Sequence, residues 1–514
     1  MQDINWPALI VFIVLFGFIT WLGFAAARWR KGDLDLLHEW GLGGRRFGTV
    51  ITWFLVGGDL YTAYTFVAVP ALAYGAGAVA FFAVPYTIVI YPLLFLAFPR
   101  LWRVCHKHHY ITAADFVRGR FGNRWLALAV TITGLVATMP YIALQLVGIQ
   151  VVVGGLGISG TGLAADLPLV IAFVILAAFT YSSGLRAPAS IAIVKDILIY
   201  ITAFVAVIAI PIQLGGFDKI FAAVPAQKVL LVVPGANTTG AYGSYATLAL
   251  GSALALFLYP HSITGILSAS SGHAIRRNAA MLPAYSLMLG MLALLGFFAI
   301  AAGVGTAPEY AAGFKQFGNN FSVPALFLHS FPSWFVGVAF AAIGIGALVP
   351  AAIMSIAAAN LYTRNIHREF INRNPTDRQE AQMAKWVSLV VKFGALIFIV
   401  FVPTQYAIQL QLLGGIWIIQ TVPAVLLGVY TRWFNDWALL IGWAAGIIAG
   451  TAMSVAAHLT PTYPLAFAGW TFPGYTAFYT VILNVVVACV LTPVFDAMKR
   501  QPPVDATRTA DYMA

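Results

Sequence analysis

The chain has 514 residues, 61% of them hydrophobic and only 9% charged. That is far too little charge to coat a soluble globule of this size, so the sequence reads as an integral membrane protein. A net charge of +11 would suit a polyanionic partner, but the basic residues gather on alternate loops, as the positive-inside rule requires, and no nucleic acid is needed to explain them.

An apolar run of about 20 residues spans the hydrocarbon core as a helix. On that measure about 13 spans are expected, beginning near Trp6, Thr49, Gly77, Trp125, Leu167, Pro188, Gly243, Ala279, Pro332, Lys385, Ala407, Trp437 and Gly474. The N-terminus falls outside and the C-terminus in the cytoplasm, with Arg186 and Lys195 among the basic residues assigned to the cytoplasmic side. The first span, residues 6–29, lacks a small-residue cleavage site and reads as a retained peripheral helix rather than a signal peptide.

The second span, Thr49 to Gly77, is interrupted by Gly57-Gly58-Asp59-Leu60-Tyr61-Thr62, with Pro70 beyond. A carboxylate this deep costs about 2.5–3.5 kcal/mol on insertion scales and must be offset by water, a cation or a proton. Asp59 is therefore the leading candidate for ion or proton handling; capping of the restarted helix is the plainer alternative. In the loop after the third span, His106-Lys107-His108-His109 resembles a metal-binding string. The other histidines are scattered singly, so a basic loop suffices, and no metal or cofactor is expected. Cys105 and Cys489 offer no disulfide framework. In the fourth span Tyr141 and Gln145 follow Pro140 one helical turn apart, presenting a hydroxyl and an amide on one face.

The seventh span is interrupted in turn, at Leu258-Tyr259-Pro260-His261-Ser262-Ile263-Thr264-Gly265. His261 could donate to a carboxylate or exchange a proton, with Tyr259 and Ser262 beside it. Lys392, in the tenth span, reads as snorkelling to the surface, and Gln420 with Thr421 before Pro423 adds a polar pair to the eleventh. Spans two to six (residues 49–214) and seven to eleven (243–430) then form two groups of five, each opened by a broken helix. Five is odd, so the second group inserts upside down: a five-plus-five inverted repeat, with the solute held between the breaks at the midplane. The last two helices (437–496) are peripheral, residues 497–514 form a cytoplasmic tail, and the whole chain, 1–514, is one transporter domain. No connection is long enough for an appended kinase or ATPase, and no Walker-type motif occurs, so transport must draw on an ion gradient.

Several segments resemble the sodium:solute symporter family: Thr112-Ala113-Ala114-Asp115-Phe116-Val117-Arg118-Gly119-Arg120-Phe121, Pro140-Tyr141-Ile142-Ala143-Leu144-Gln145-Leu146-Val147-Gly148, and Ser183-Gly184-Leu185-Arg186-Ala187 followed by Lys195-Asp196. Tyr259-Pro260-His261-Ser262-Ile263-Thr264 and Arg276-Arg277-Asn278-Ala279 are similar to bacterial monocarboxylate permeases within it. The resemblance implies an all-α, LeuT-type fold in the bacterial inner membrane that imports lactate, pyruvate, acetate, propionate or alanine. The candidates for the substrate are the polar residues at the two breaks and in the fourth and eleventh spans: Tyr61, Thr62, Tyr141, Gln145, Tyr259, His261, Ser262 and Gln420. In the family's sodium site, carbonyls of the first broken helix, here around Gly57 and Gly58, join a Ser/Thr pair of the ninth span. Counting back from Asn360-Leu361-Tyr362 puts Gly344 and Ile345 there, so the hydroxyls are missing; a shifted lineup would use Ser355. The coupling ion is then a proton on Asp59 or sodium. The partners implied are a small organic acid and lipid, and the oligomeric state is not legible. A transporter-like sensor is the alternative reading; no enzyme activity is expected.

Overall fold

The computed structural model describes residues 4–28, 32–158, 163–401, 407–498 and 504–513. Helix α1 is Trp6–Ala25. The first broken helix consists of α2 (Thr49–Thr52), a π turn Trp53–Gly57, an irregular stretch, a second π turn Tyr64–Ala68, and α3 (Val69–Ala76). After it come α4 (Tyr91–Lys107), α5 (Ala113–Phe121), α6 (Arg124–Gly155) and α7 (Arg186–Gln213). The second broken helix consists of α8 (Gly240–Leu256) and α9 (Pro260–Leu267), bent by 49°. Then follow α10 (Pro283–Ala301), α11 (Ser333–Tyr362), α12 (Asp377–Phe401), α13 (Ala407–Ile418), α14 (Asp436–Ala456) and α15 (Thr476–Ala497).

Among the described residues nine helices are long and apolar enough to cross a membrane, ten with the bent pair, fewer than the about 13 expected. Part of the difference lies where the second span is cut into short pieces and where the apolar helix Leu167–Ser183 falls short of a full crossing. The chain is also not wholly helical. Residues Thr462–Phe467 (β1) and Trp470–Tyr475 (β2) form an antiparallel hairpin around Ala468 and Gly469, both with positive φ. The last helix accordingly starts at Thr476 rather than near Gly474.

Helix α11 is the post around which the rest is arranged: 94% of its most apolar 18-residue window is buried. Lipid tails are as apolar as leucine, so the hydrophobic effect does not drive helices together within a bilayer, and close packing of small residues must do it instead. The sequence of α11 supplies them at Ala341, Ala342, Gly344, Gly346, Ala347, Ala351 and Ala352, all buried. Against it pack α1, α6, α7, α9 and α12. The two broken helices are pinned at one end by backbone: Phe47 N–H donates to Ser268 O at 3.3 Å, and Ser270 N–H donates to Phe47 O at 2.8 Å.

The Thr112–Phe121 motif proves to be a helix start and stop. Thr112 Oγ1 accepts from Asp115 N–H (3.0 Å), Asp115 Oδ2 accepts from Thr112 N–H (3.2 Å) and from Ile111 N–H (2.8 Å), and Gly122 ends the helix at φ 62°. Asn365 Nδ2 donates to Asp115 Oδ1 at 2.8 Å and so ties α5 to the segment after α11.

The tail folds back over the same side. Asp511 pairs with Lys107 (2.5 Å) and His108 (2.8 Å), Asp505 with Arg120 and Arg432 (2.9 Å each), and Ala506 N–H donates to Gly119 O at 2.8 Å. Burial works to raise the Asp511 carboxyl, but the hydrogen bonds from Lys107 and His108 hold it well below the usual carboxylate range. With the folded value depressed, the stabilisation is present above the ordinary carboxylate pKa and is lost only on strong acidification.

Replacing Thr112 by Ala removes the cap and leaves the Asp115 N–H unpaired, at a cost of about 1 kcal/mol. The thermal midpoint of the purified protein in detergent should fall; an unchanged midpoint would show that the capping box contributes nothing to stability.

Candidate functional site

At the first break the backbone leaves the helix after Gly58 and tightens into turns, with Leu60 N–H donating to Gly57 O (2.9 Å) and Tyr61 N–H to Gly58 O (3.2 Å). Helix resumes where Thr62 Oγ1 accepts from Tyr64 N–H at 3.0 Å. The freed Ala63 N–H is taken by Gln145 Oε1 of α6 at 3.1 Å. At the second break Pro260 opens α9, where its missing N–H costs nothing.

The two breaks meet through Asp59. Its Oδ2 accepts from Ser262 Oγ at 3.3 Å and lies 3.4 Å from His261 Nε2, and all three residues are buried. Asp59 thus reaches across to the other broken helix instead of capping its own. The Tyr141 ring stands edge-on to His261 and Tyr259, with centroids 5.2 and 5.3 Å away. Asp59 Oδ1 and His261 Nδ1 have no hydrogen-bond partner among the described residues, so the pair retains one free acceptor and one free ring nitrogen. Alongside, Pro260, Ile263, Thr264, Gly134, Leu361 and Thr421 line a cavity of about 20 Å³, room for roughly one water. A three-carbon acid requires the helices to part.

Other expected positions lie elsewhere. Tyr61 turns its hydroxyl away to donate to Tyr285 O (2.8 Å), and Tyr259 donates to Gln411 O on α13 (3.1 Å). Gln420 faces the peripheral helices: its Nε2 donates to Thr480 Oγ1 (2.9 Å), and its Oε1 accepts from Asn484 Nδ2 (3.1 Å), both on α15. Its neighbour Thr421 is the one at the cavity. Lys392 does not snorkel. It is 1% exposed and donates to Ser388 Oγ at 2.7 Å, which in turn reaches Ser355 Oγ at 3.3 Å. Ser355 is therefore committed to α12 and not to the break.

The expected sodium-site lineup shifts as well. A Cβ on Gly344 would meet Phe12 of α1 at 3.3 Å, so Gly344 points away from the break, and Ile345 is buried with no side-chain oxygen to offer. The residue of α11 that faces the first break is Gly346, whose Cβ would stand 3.9 Å from Tyr61 O.

One group that sequence reasoning placed at the cytoplasmic surface belongs at the break. Lys195 and Asp196 are both fully buried on α7. Lys195 Nζ donates to Gly58 O and, at 3.1 Å, to Tyr61 O, and sits 3.0 Å from Asp196 Oδ1. Asp196 Oδ2 accepts from the Tyr285 hydroxyl of α10 at 2.7 Å. The clue was depth: α7 starts at Arg186, nine residues earlier, which at 1.5 Å per residue is about 14 Å. Gly57 and Gly58 make room for this cluster. A Cβ on Gly57 would strike the Tyr285 ring, and one on Gly58 would lie 2.7 Å from Asp196 Oδ2 and 2.9 Å from Lys195 Nζ.

A model of the sodium:solute symporter family matches residues 40–446. The chain is 52% identical over 503 residues to a monocarboxylate transport permease protein of Rhizobium johnstonii, covering 96% of this chain and 98% of the relative. It is 32% identical over 494 residues to the uncharacterized symporter YodF of Bacillus subtilis strain 168, covering 96% and 94% respectively. Among solved structures it superposes on a Na+-coupled sialic acid symporter in a substrate-bound outward-open state with a TM-score of 0.75. That match covers 95% of this chain and 98% of the other at 16% identity, a likeness of fold and hence of the LeuT-type architecture.

Gly58 has φ −65°, so space and not backbone conformation excludes a side chain there. Gly58→Ala should displace the Lys195–Asp196 pair and lower solute uptake by about tenfold or more, with normal abundance in the membrane. Gly17→Ala, whose Cβ would meet nothing within 4 Å, is the control. Equal uptake by the two variants would show that the pair tolerates displacement.

Proposed function

The chain belongs to the sodium:solute symporter family, and on that premise we propose that it imports short-chain monocarboxylates on a proton or sodium gradient across the bacterial inner membrane. Lactate and pyruvate are the foremost substrates, with acetate, propionate and alanine sharing the same carboxylate and small tail. The N-terminus faces outward and the C-terminus the cytoplasm, as the loop charges require.

The observation that carries this reading is Asp59 joined to His261 and Ser262 where the two breaks meet. A substrate carboxylate brought beside Asp59 would be repelled in this low-dielectric setting. A cation arriving with it, or a proton held between Asp59 and His261, removes the repulsion and leaves a donor on the imidazole for the substrate. Binding of anion and cation is thereby interdependent, which is the physical requirement for symport. The Tyr141 and Tyr259 rings beside His261 supply an apolar wall suited to a methyl or ethyl tail. Thr264 and Thr421, in the small cavity shared with Thr112, mark the route by which the site would open toward the cytoplasm. The 52% identity to a protein named as a monocarboxylate permease supports the substrate class.

Purified protein in proteoliposomes should accumulate labelled pyruvate when an inward proton or sodium gradient is imposed, and unlabelled lactate should compete. Accumulation under neither gradient would overturn the substrate assignment. Asp59→Asn should abolish gradient-driven accumulation while substrate exchange persists; full accumulation by that variant would remove Asp59 from coupling.

A further inference from the structure

Where a helix unwinds inside a membrane protein, its freed carbonyls are the oxygens with which transporters coordinate a coupling cation. In this chain the Gly58 and Tyr61 carbonyls at the first break already hold a cation, and it is part of the protein. An ammonium has three N–H donors; that of Lys195 donates to Gly58 O and Tyr61 O, and Asp196 Oδ1 lies 3.0 Å away as its counter-charge, in an ion pair without a hydrogen bond. Asp196 is held in place by the Tyr285 hydroxyl. Across the break α11 presents Gly346, which brings no side-chain oxygen. A second cation on the same carbonyls would sit against the ammonium in a buried, low-dielectric position, at a large electrostatic cost. The other ionisable groups near Lys195 are Tyr200 on its own helix, Tyr61 and Asp59 on the broken helix, and Tyr285 on α10.

We propose that the Lys195 ammonium is a resident cation that takes the place of a dissociable coupling cation at the first break, so that transport proceeds without sodium. This deepens the proposed symport by naming its ion requirement, but it stands on the geometry of the break and not on the identity of the solute. With the carbonyl site permanently filled, the driving cation acts at Asp59 and His261. A proton needs one acceptor atom, whereas sodium needs several oxygens, and a proton suits that pair.

The test uses the full-length protein with two variants. Lys195→Met keeps the volume of the stem and removes the charge. Lys195→Thr combined with Gly346→Ser removes the ammonium and adds two hydroxyls around the same carbonyls. Thermal midpoints are measured in sodium chloride and in choline chloride at equal ionic strength, and pyruvate uptake is measured in the same two salts. The wild-type midpoint and uptake should be the same in both. Lys195→Met should lose uptake by about tenfold or more in both salts, and the double variant should gain a midpoint that rises saturably with sodium. A wild-type midpoint that rises saturably with sodium, wild-type uptake that needs sodium, or full uptake by Lys195→Met would each overturn the proposal, as would a folded double variant indifferent to sodium. If the double variant does not fold, the wild type and Lys195→Met decide. Absence of pyruvate uptake in any salt would remove the substrate reading, while the midpoints still decide the ion claim.

Discussion

A helix cannot stop inside a bilayer without freeing backbone donors and acceptors that lipid cannot satisfy. Much of this architecture answers that constraint at one place, the interruption after Gly58. Two of the neighbouring helices reach in to meet it: α6 with Gln145, which takes the Ala63 N–H, and α7 with Lys195, which takes the Gly58 and Tyr61 carbonyls. The broken helix contributes Thr62 and Thr65, whose hydroxyls bond Tyr64 N–H and Leu60 O. Only glycine at 58 lets the charged pair of α7 come this close. The irregular backbone is therefore held by specific side chains and not left loose, and Asp59 is presented across the gap from a fixed base.

Both interruptions were legible in the sequence because Gly, Pro and polar side chains stand out in an apolar run, and the structure brings Asp59 and His261 together across them. What the sequence hid depends on register and azimuth, which no one-dimensional pattern carries. Lys195 was counted with the loop charges although its span was expected to begin near Pro188, well before it, and a Lys-Asp pair at that depth is costly to bury without partners. Gly344 was matched to the ion site by counting along α11, but on a helix packed on every side the count gives no facing direction, and the break lies against Gly346. Gln420 and Thr421 are adjacent in sequence and so point about 100° apart on a helix; the cavity took Thr421 and α15 took Gln420. The hairpin at Thr462–Tyr475 fell in the connection before the last span, which was expected to begin near Gly474.

Helix α11 and the two breaks represent opposite uses of small residues. Along α11, glycine and alanine let five other helices approach closely, which gives a rigid centre. At Gly57 and Gly58 the same lack of side chain admits Tyr285, Lys195 and Asp196 to the backbone. Rigid and interrupted segments lie side by side, an arrangement in which the interrupted helices can tilt while the post stays still.

The fold-back of residues 504–513 has a consequence of a different kind. Its ion pairs join α4, α5 and Arg432, and two of the cations are open to water, with the Lys107 side chain 60% exposed and Arg432 46%. Contacts of that type weaken with ionic strength, since the screening length shrinks from about 10 Å at 0.1 M salt to about 3 Å at 1 M. The membrane-embedded bonds at the breaks are shielded from this effect. The molecule therefore combines a core indifferent to salt with a polar fastener that loosens as salt rises, so the osmotic and ionic state of the surrounding fluid bears on one face of the protein and not on its centre.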